Sequence, residues 1–513
     1  MADRRADAVL LTGPPGSRAT YQLTRQAASY IAYYSDGTCL VARGHARHPD
    51  VLRVQNMIRT AGRPCAVVHT DVAAIRQIHD RAGANVDDNE AMQRKALEII
   101  NQAAGNNASD IHIYNHKQRG TTVKFRINGD LRTILDADYE WGETLARAIY
   151  QSMTNVSDAT YRPQARQDAQ IAGFAGLPET VNGLRIGTAP LDHGSTMILR
   201  LLYNLAPGDL DFGKLGYSPQ QVETLDRMRR RSIGMTLIGG PTGSGKSTTL
   251  QYQLTKLGQE TGGRKHILTI EDPPEYDIPT ANQQPVANAE TEAERTRAFQ
   301  SAIKSAMRQD PDVIMVGEVR DIPTADLVVY GAMTGHHMLA SVHSNTAAQS
   351  LDRLSELQVS HSLLFDPTIV TGLICQRLVK TLCPHCKRPL TEILDDIPRH
   401  AIERWRRALP FDSVYVEGPG CRRCEGKGTA GRQACAEIIE PDEPFMRHYA
   451  AGEKTAAIEH WVRECGGETM LMRGVALVRK GIADPRAVEE TIGLIEPTTA
   501  GEQDAFGSQD KEH

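Results

Sequence analysis

Gly240-Pro241-Thr242-Gly243-Ser244-Gly245-Lys246-Ser247-Thr248 is the stretch whose reading decides the fold of this chain. It satisfies GxxxxGK[ST], and each residue type in it has a physical task. The glycines let successive backbone N–H groups turn inward around phosphate oxygens with no Cβ in the way. Lys246 supplies a point charge between the terminal phosphates of ATP, and the Ser247 hydroxyl can ligate Mg²⁺. An apolar strand, Met235 to Ile238, precedes the loop and a helical run, Thr249 to Leu257, follows it. That helix offers its positive amino end to the same anion. A glycine-rich turn with no chemistry is the competing reading, and this strand–loop–helix context disfavours it.

Short apolar runs alternate with helical patterns on either side of the loop, from about 206 to 380. They are Met235 to Ile238, Ile267 to Ile270, Val313 to Val316 and Met338 to Val342. Strand, loop and helix in repetition predict an α/β domain with a parallel sheet flanked by helices. Residues 1–85 read as a small mixed segment, with a helix at Asp50 to Ile58, a strand at Cys65 to His69 and a helix at Val72 to Ile78. The stretch at 83–88 reads as a linker, and Asn89 to Asn101 has amphipathic helical spacing. Residues 86–205 read as a second, α+β domain. Its strands are Ile111 to Tyr114, Thr122 to Ile127, Leu184 to Ala189 and Thr196 to Tyr203, with a hairpin turn at Asn128-Gly129-Asp130 and a helix at Gly142 to Met153. Residues 381–436 read as loop-like, 437–495 as helical, and 496–513 as a disordered polar tail.

Composition limits the partners. Of 513 residues, 24% are charged with a net charge of -5, so no global basic field invites nucleic acid. The basic runs Arg227 to Arg231 and Arg399 to Arg407 read as solvated helix faces. No stretch approaches the roughly 18 apolar residues of a membrane span, and no apolar signal core follows Met1-Ala-Asp-Arg-Arg. The expected location is therefore the cytoplasm, at the inner membrane only through partners.

Hydrolysis needs carboxylates near the metal and a positioned water. Val313 to Val316 delivers Glu318 to the carboxyl end of a parallel sheet, where ligands bind in such folds. Glu271-Asp272-Pro273-Pro274-Glu275 follows the strand Ile267 to Ile270 and puts three carboxylates on a proline-stiffened loop. Candidate Mg²⁺ ligands are accordingly Ser247, Glu318, Glu271 and Asp272. Thr334-Gly335-His336 and Ser341-Val342-His343-Ser344-Asn345 flank the next strand. Either histidine could sense phosphate or be structural.

These four elements, in this order, resemble those of the secretion ATPase superfamily of type II secretion and type IV pilus assembly motors. Its Walker A, aspartate box, Walker B and histidine box match Gly240–Thr248, Thr269–Glu275, Arg308–Asp321 and Thr334–Ala347. The resemblance implies a RecA-like ATPase domain with an upstream PAS-like α+β domain. It implies Glu275 as general base, Glu318 for Mg²⁺ and water, and His336 and His343 as links from the nucleotide to neighbouring elements. Ala108-Ser-Asp-Ile-His112 and Phe125-Arg-Ile-Asn-Gly-Asp130 resemble the family's second N-terminal domain. Its arginines reach the nucleotide, partly from the neighbouring subunit of a hexamer; the matching positions here are Arg185 and Arg200. An always-charged fork suits charge on a transferring phosphoryl group, and ion pairs within the domain are the plainer alternative. Two departures stand out. Arg162-Pro-Gln-Ala-Arg166 lacks the family's Asp-Gly, so the resemblance leaves open whether Arg166 acts at the site. Pro274 replaces an aliphatic residue, stiffening the loop without removing a carboxylate.

Cys383-Pro-His-Cys386 and Cys421-Arg-Arg-Cys424 are two CxxC pairs among nine cysteines. In a cytosolic chain such pairs favour a closed four-thiolate Zn²⁺ site over disulfides, with reduced, metal-free cysteines as the alternative. Many extension-type motors of the family carry such a tetracysteine insertion. The resemblance thus implies a homo-hexamer that powers type IV pilus assembly, possibly plasmid- or conjugation-associated, or else a type II secretion pseudopilus. It also implies an inner-membrane platform protein as partner, and residues 1–85 could bind a cytoplasmic adaptor. A nucleic-acid translocase is the rival class; 5% aromatic residues and an acidic pI argue against its stacking platform and basic channel.

Overall fold

In the computed structural model the chain divides into two compact units, Met1–Pro178 with Gly183–Leu201, and Glu179–Asn182 with Leu202–His513. The structure describes residues 8–13, 19–24, 26–154, 160–204, 210–272, 274–286 and 292–496. The expected disordered tail from 497 onward, and Pro273 of the acidic turn, lie outside the described residues.

Among the described residues the first unit holds three sheets, the smallest a parallel pair of Thr12–Gly13 with Tyr21–Gln22. A three-stranded sheet in the order Ile31–Tyr33, Thr38–Ala42, Ala66–Thr70 packs against the helix Pro49–Thr60. Pro49 stands in the first turn of that helix, the His48 ring accepts from Asp50 N, and Val51, Val54 and Ile58 form the buried stripe. The stretch at 83–88 is not a linker: one helix runs from Val72 to Gly105. A single glycine among alanines and short polar residues costs a helix only about 1 kcal/mol, which the flanking helical runs overcome. A six-stranded antiparallel sheet follows, with Asp110–His116 and Gly194–Tyr203 at its centre. Its hairpin turns at Asn128 and Gly129, whose φ values of 52° and 96° match a type I′ turn. The strand Gly120–Ile127 alternates strictly between buried and half-buried residues, because one face of the sheet meets a core.

The second unit is built on a seven-stranded sheet in the order Asn282–Pro285, Ile267–Glu271, Val313–Val316, His337–Ser341, Gly234–Gly239, Val370–Leu382, Thr429–Ile439. All pairings are parallel except the last. Ile314 and Val316 enter one core, Val313 and Met315 the other. Both faces are covered, which is why these strands read as unbroken apolar runs. The helices Glu443–Ala450, Lys454–Glu464, Met470–Arg479 and Pro485–Thr491 make the expected helical C-terminal stretch.

Residues between the last two sheet strands are more ordered than the loop-like expectation. The helix Arg399–Ala408 buries Ala401 and Trp405, and the latter packs with Leu390, Ile393, Val414 and Val416 and with Val478 and Val488 of the C-terminal helices. Trp405 is 1% exposed, and its indole N–H donates to Glu489 Oε1 at 2.8 Å. The Arg227 to Arg231 run also departs from a solvated face. Arg229 is 3% exposed and forks onto Asp226 and Glu260, each at 2.7 Å, while Arg227 and Arg231 both hold Glu440. Asp226 is an i,i+3 neighbour of Arg229 on its own helix, but Glu260 and Glu440 lie far off in sequence, where spacing could not reveal them.

Candidate functional site

The phosphate loop leaves the carboxyl end of the strand Gly234–Gly239 and enters the helix Lys246–Thr261. Gly240, Gly243 and Gly245 all have positive φ, at 139°, 78° and 87°. A Cβ at Gly240 would also stand 2.7 Å from the Gln376 carbonyl oxygen, so glycine is required there twice over. Lys246 Nζ donates to the loop's own carbonyls, Gly240 O at 2.7 Å and Pro241 O at 3.1 Å. Burial holds its ammonium below the usual lysine range, opposed by the negative charges of Glu318 and Glu275. Both predicted carboxylates therefore act on the phosphate-loop lysine.

Glu318 emerges just past the strand Val313–Val316. Gly317 lets the chain cross close to its neighbours: its N–H donates to Ile270 O at 2.8 Å and its carbonyl accepts from Ser341 Oγ at 2.6 Å. Burial alone would raise the Glu318 carboxyl. The Arg320 hydrogen bond and charge, followed by His343 and Lys246, instead hold it below the ordinary carboxylate range. Arg320 donates at 2.8 Å and His343 Nε2 stands at 3.0 Å. His343 thus touches the metal-site candidate directly.

The rest of the acidic cluster is tied differently. Glu271 Oε1 accepts from Thr269 Oγ1 at 2.7 Å and from Gln283 Nε2 at 2.9 Å, and burial raises its carboxyl. Asp272 pairs with Arg295 at 3.4 Å. Tyr276 OH reaches Thr248 Oγ1 at 3.2 Å, linking this loop to the last residue of the phosphate loop.

His336 is not brought to this site. It precedes the strand His337–Ser341, whose first residue pairs with Gly234 at the amino end of the loop-bearing strand. At about 3.3 Å per residue the strand places it roughly 16 Å from the loop end. Its Nδ1 lies 3.2 Å from both Thr334 Oγ1 and Gly331 O. Beside it, His337 is 1% exposed, its ring nitrogens have no hydrogen-bond partner, and burial pushes its pKa down to about 4. In the first unit, Arg200 donates to Asp110 Oδ1 at 3.0 Å, an ion pair within the sheet, and Arg185 stands opposite Gln170.

Sequence reasoning missed a buried network under the loop. Gln376 Nε2 donates to Ser244 O at 2.8 Å, and its Oε1 accepts from Tyr217 OH at 2.7 Å and Thr249 Oγ1 at 3.0 Å. Tyr217 and Gln376 are 159 residues apart, so no local pattern joins them. Arg320 was readable, since it lies within the Gly317 to Asp321 run.

The four CxxC cysteines converge. Cys383 and Cys421 Sγ are 3.9 Å apart, and Cys424 Sγ is 3.8 Å from both Cys386 and Cys421. A tetrahedral zinc with bonds of about 2.3 Å requires sulfur separations of about 3.8 Å. Burial would raise the Cys424 thiol, but N–H donation from Cys421 and Gly428 brings its pKa down to about 6. Backbone dipoles thus favour the thiolate that a metal takes. The donor set fits zinc; His385 is not among the four clustered groups.

The family model for type II/IV secretion system proteins matches residues 85–492. The chain is 31% identical to the type II secretion system ATPase E of Vibrio cholerae, over 81% of this chain and 82% of the relative. It is 32% identical to the type IV pilus assembly ATPase PilB of Thermus thermophilus, over 77% of this chain and 42% of that one. Among solved structures, the pilus retraction motor PilT with bound ADP superposes with a TM-score of 0.51 at 24% identity, covering 77% of this chain and 96% of that one, a likeness of fold.

Proposed function

The chain belongs to the type II/IV secretion system protein family and is an ATP hydrolase of it, and on that premise we propose that it is the hexameric motor that powers extension of a type IV pilus. The observation that carries the catalytic assignment is the placing of Glu318 just past the strand Val313–Val316, held by Arg320 at 2.8 Å and His343 at 3.0 Å, in the same parallel sheet as the strand that feeds the phosphate loop. In this reading the glycine-lined loop and Lys246 bind the ATP phosphates. Ser247 and Glu318 would hold Mg²⁺, with Glu271 and Asp272 behind them; the ion supplies charge neutralisation between the phosphates. Glu318 is kept ionised by Arg320 and His343, as a metal-facing carboxylate must be. Glu275 takes the proton of the attacking water. Arg185 and Arg200 serve a nucleotide site of the hexamer, Arg200 after exchanging Asp110 for phosphate. His336, remote from its own loop, couples the nucleotide state to neighbouring elements.

Cys383, Cys386, Cys421 and Cys424 would hold one structural Zn²⁺, closing the segment between the last two sheet strands. Among the described residues no helix is long and apolar enough to cross a membrane. We place the motor in the cytoplasm, at the inner membrane through a platform protein, with residues 1–85 available to an adaptor. The domain limits 1–85, 86–205, 206–380, 381–436 and 437–495 are proposed on the same footing.

A second reading, assembly of a type II secretion pseudopilus, is favoured by the fuller coverage of the Vibrio cholerae relative. Glu318→Gln should keep ATP binding and lose turnover; undiminished hydrolysis would refute the role of Glu318. Gene deletion separates the two cargo readings. Loss of surface pili supports the first, and loss of secreted proteins with pili intact overturns it in favour of the second.

A further inference from the structure

Away from the loop and the four cysteines, three side chains of different chemistry meet between two C-terminal helices. Asp442 caps the helix Glu443–Ala450, its Oδ1 accepting from Phe445 N at 2.9 Å. The cap fixes the carboxylate and turns Oδ2 toward the helix Lys454–Glu464. There His460 Nε2 approaches Oδ2 to 2.8 Å. Cys465, at the carboxyl end of the same helix, places its Sγ 3.6 Å from Oδ2 and 3.8 Å from Nε2.

We propose that Asp442, His460 and Cys465 form a second transition-metal site, a three-ligand Zn²⁺ site with its fourth position left to water. The three donor atoms all lie within 4.8 Å of one another. With Zn–O and Zn–N bonds of about 2.0–2.1 Å and Zn–S of about 2.3 Å, tetrahedral ligands stand about 3.4–3.6 Å apart. The two sulfur distances already nearly fit. Only the Asp442–His460 contact must open, by roughly half an ångström, as a metal replaces the hydrogen bond between them. An Asp–His ion pair by itself has no need of the thiol, and a carboxylate, an imidazole and a thiolate together form a donor set suited to zinc.

Access and rigidity agree with this. Cys465 is exposed, so an ion can enter, whereas the His460 side chain is only 19% exposed and is held by its helix. Asp442 and Cys465 line a cavity of about 360 Å³ bordered by Arg227, Arg231, Glu440 and Glu468, which leaves room for the fourth ligand. An ion there would clip the helix Glu443–Ala450 to the helix Lys454–Glu464. The site shares no residue with the tetracysteine cluster, so the two can be counted independently.

The test is metal stoichiometry on the full-length protein, stripped with chelator, reloaded with Zn²⁺ or Co²⁺ and desalted. Wild type should retain two equivalents per chain, and His460→Ala and Cys465→Ser one each. Cys383→Ser/Cys421→Ser should also retain one, now with the absorption of cobalt bound to a single thiolate, which adding Cys465→Ser removes. One equivalent in wild type, unchanged in His460→Ala, would overturn the second site and leave the tetracysteine reading intact. Two equivalents persisting in His460→Ala would also overturn it. No loss in Cys383→Ser/Cys421→Ser would instead count against the tetracysteine site. Should that double variant not fold, the His460→Ala count on the otherwise native chain still decides.

Discussion

The phosphate loop and the tetracysteine cluster are both ligand sites of the second unit, and they are built on opposite plans. The cysteine cluster has every donor in place, with sulfur atoms 3.8–3.9 Å apart, the spacing that a tetrahedral zinc takes. At the loop, donors and acceptors are occupied with one another. Lys246 holds the loop's own carbonyls, Glu318 holds Arg320 and His343, and Asp272 holds Arg295. A closed site maximises stability because its geometry need never change. An open one keeps its charges balanced by partners that a substrate can displace, and that exchange is what makes turnover possible.

The comparison breaks most readily by opening the closed site. Cys421→Ser leaves three thiols, and structural zinc contributes an apparent binding free energy of about 10–16 kcal/mol. The expected result is loss of one zinc and a large fall in the calorimetric midpoint, with nucleotide binding retained. Zinc loss with an unchanged midpoint would mean that the cluster is no staple. Next in size is Trp405→Ala, which empties the core that the segment between the last two sheet strands shares with the C-terminal helices and strips a donor from Glu489. It should cost about 3–5 kcal/mol in denaturant unfolding while leaving the KM for ATP unchanged.

Lys246→Ala probes the open site. Removing one preorganised charge should lower kcat/KM for ATP by about 10²–10³-fold, roughly 2.7–4 kcal/mol, with zinc content and midpoint preserved. A fall in midpoint comparable to that of Cys421→Ser would erase the distinction between the sites. The smallest effect is the sharpest. Glu318 is held low, so its stabilisation is present above the unfolded-state value and is lost as pH falls through the lower folded value. Arg320→Ala removes the largest cause that holds the carboxyl low, so it should raise that folded value and move the acid limb of the kcat–pH profile upward. A limb that stays in place would assign the acid limb to another group.

Much of the loop site was legible because its parts are local. Strands buried on both faces become continuous apolar runs, and a phosphate loop is a contiguous nine-residue pattern. Glu318 and His343 were readable as ends of neighbouring strands, although their contact was not. His336 shows the limit. Only seven residues before His343 in sequence, it lies at the other end of the sheet because an extended strand intervenes. The segment between the last two sheet strands read as loop because its core residues are scattered. Ile393, Trp405 and Val414 become a core only when Val478 and Val488 arrive from the C-terminal helices.

The sequence by itself determined the phosphate loop, the apolar strands of the parallel sheet that carries it and the two CxxC motifs, since each is a local pattern; that the two motifs converge was decided by the fold. Tertiary structure alone decided what those motifs touch: Gln376 and Tyr217 beneath the loop, His343 and Arg320 on Glu318, and Asp442 against His460 and Cys465. Hydrogen bonds and ion pairs act over about 3–4 Å in space whatever their separation along the chain, and only folding sets those distances.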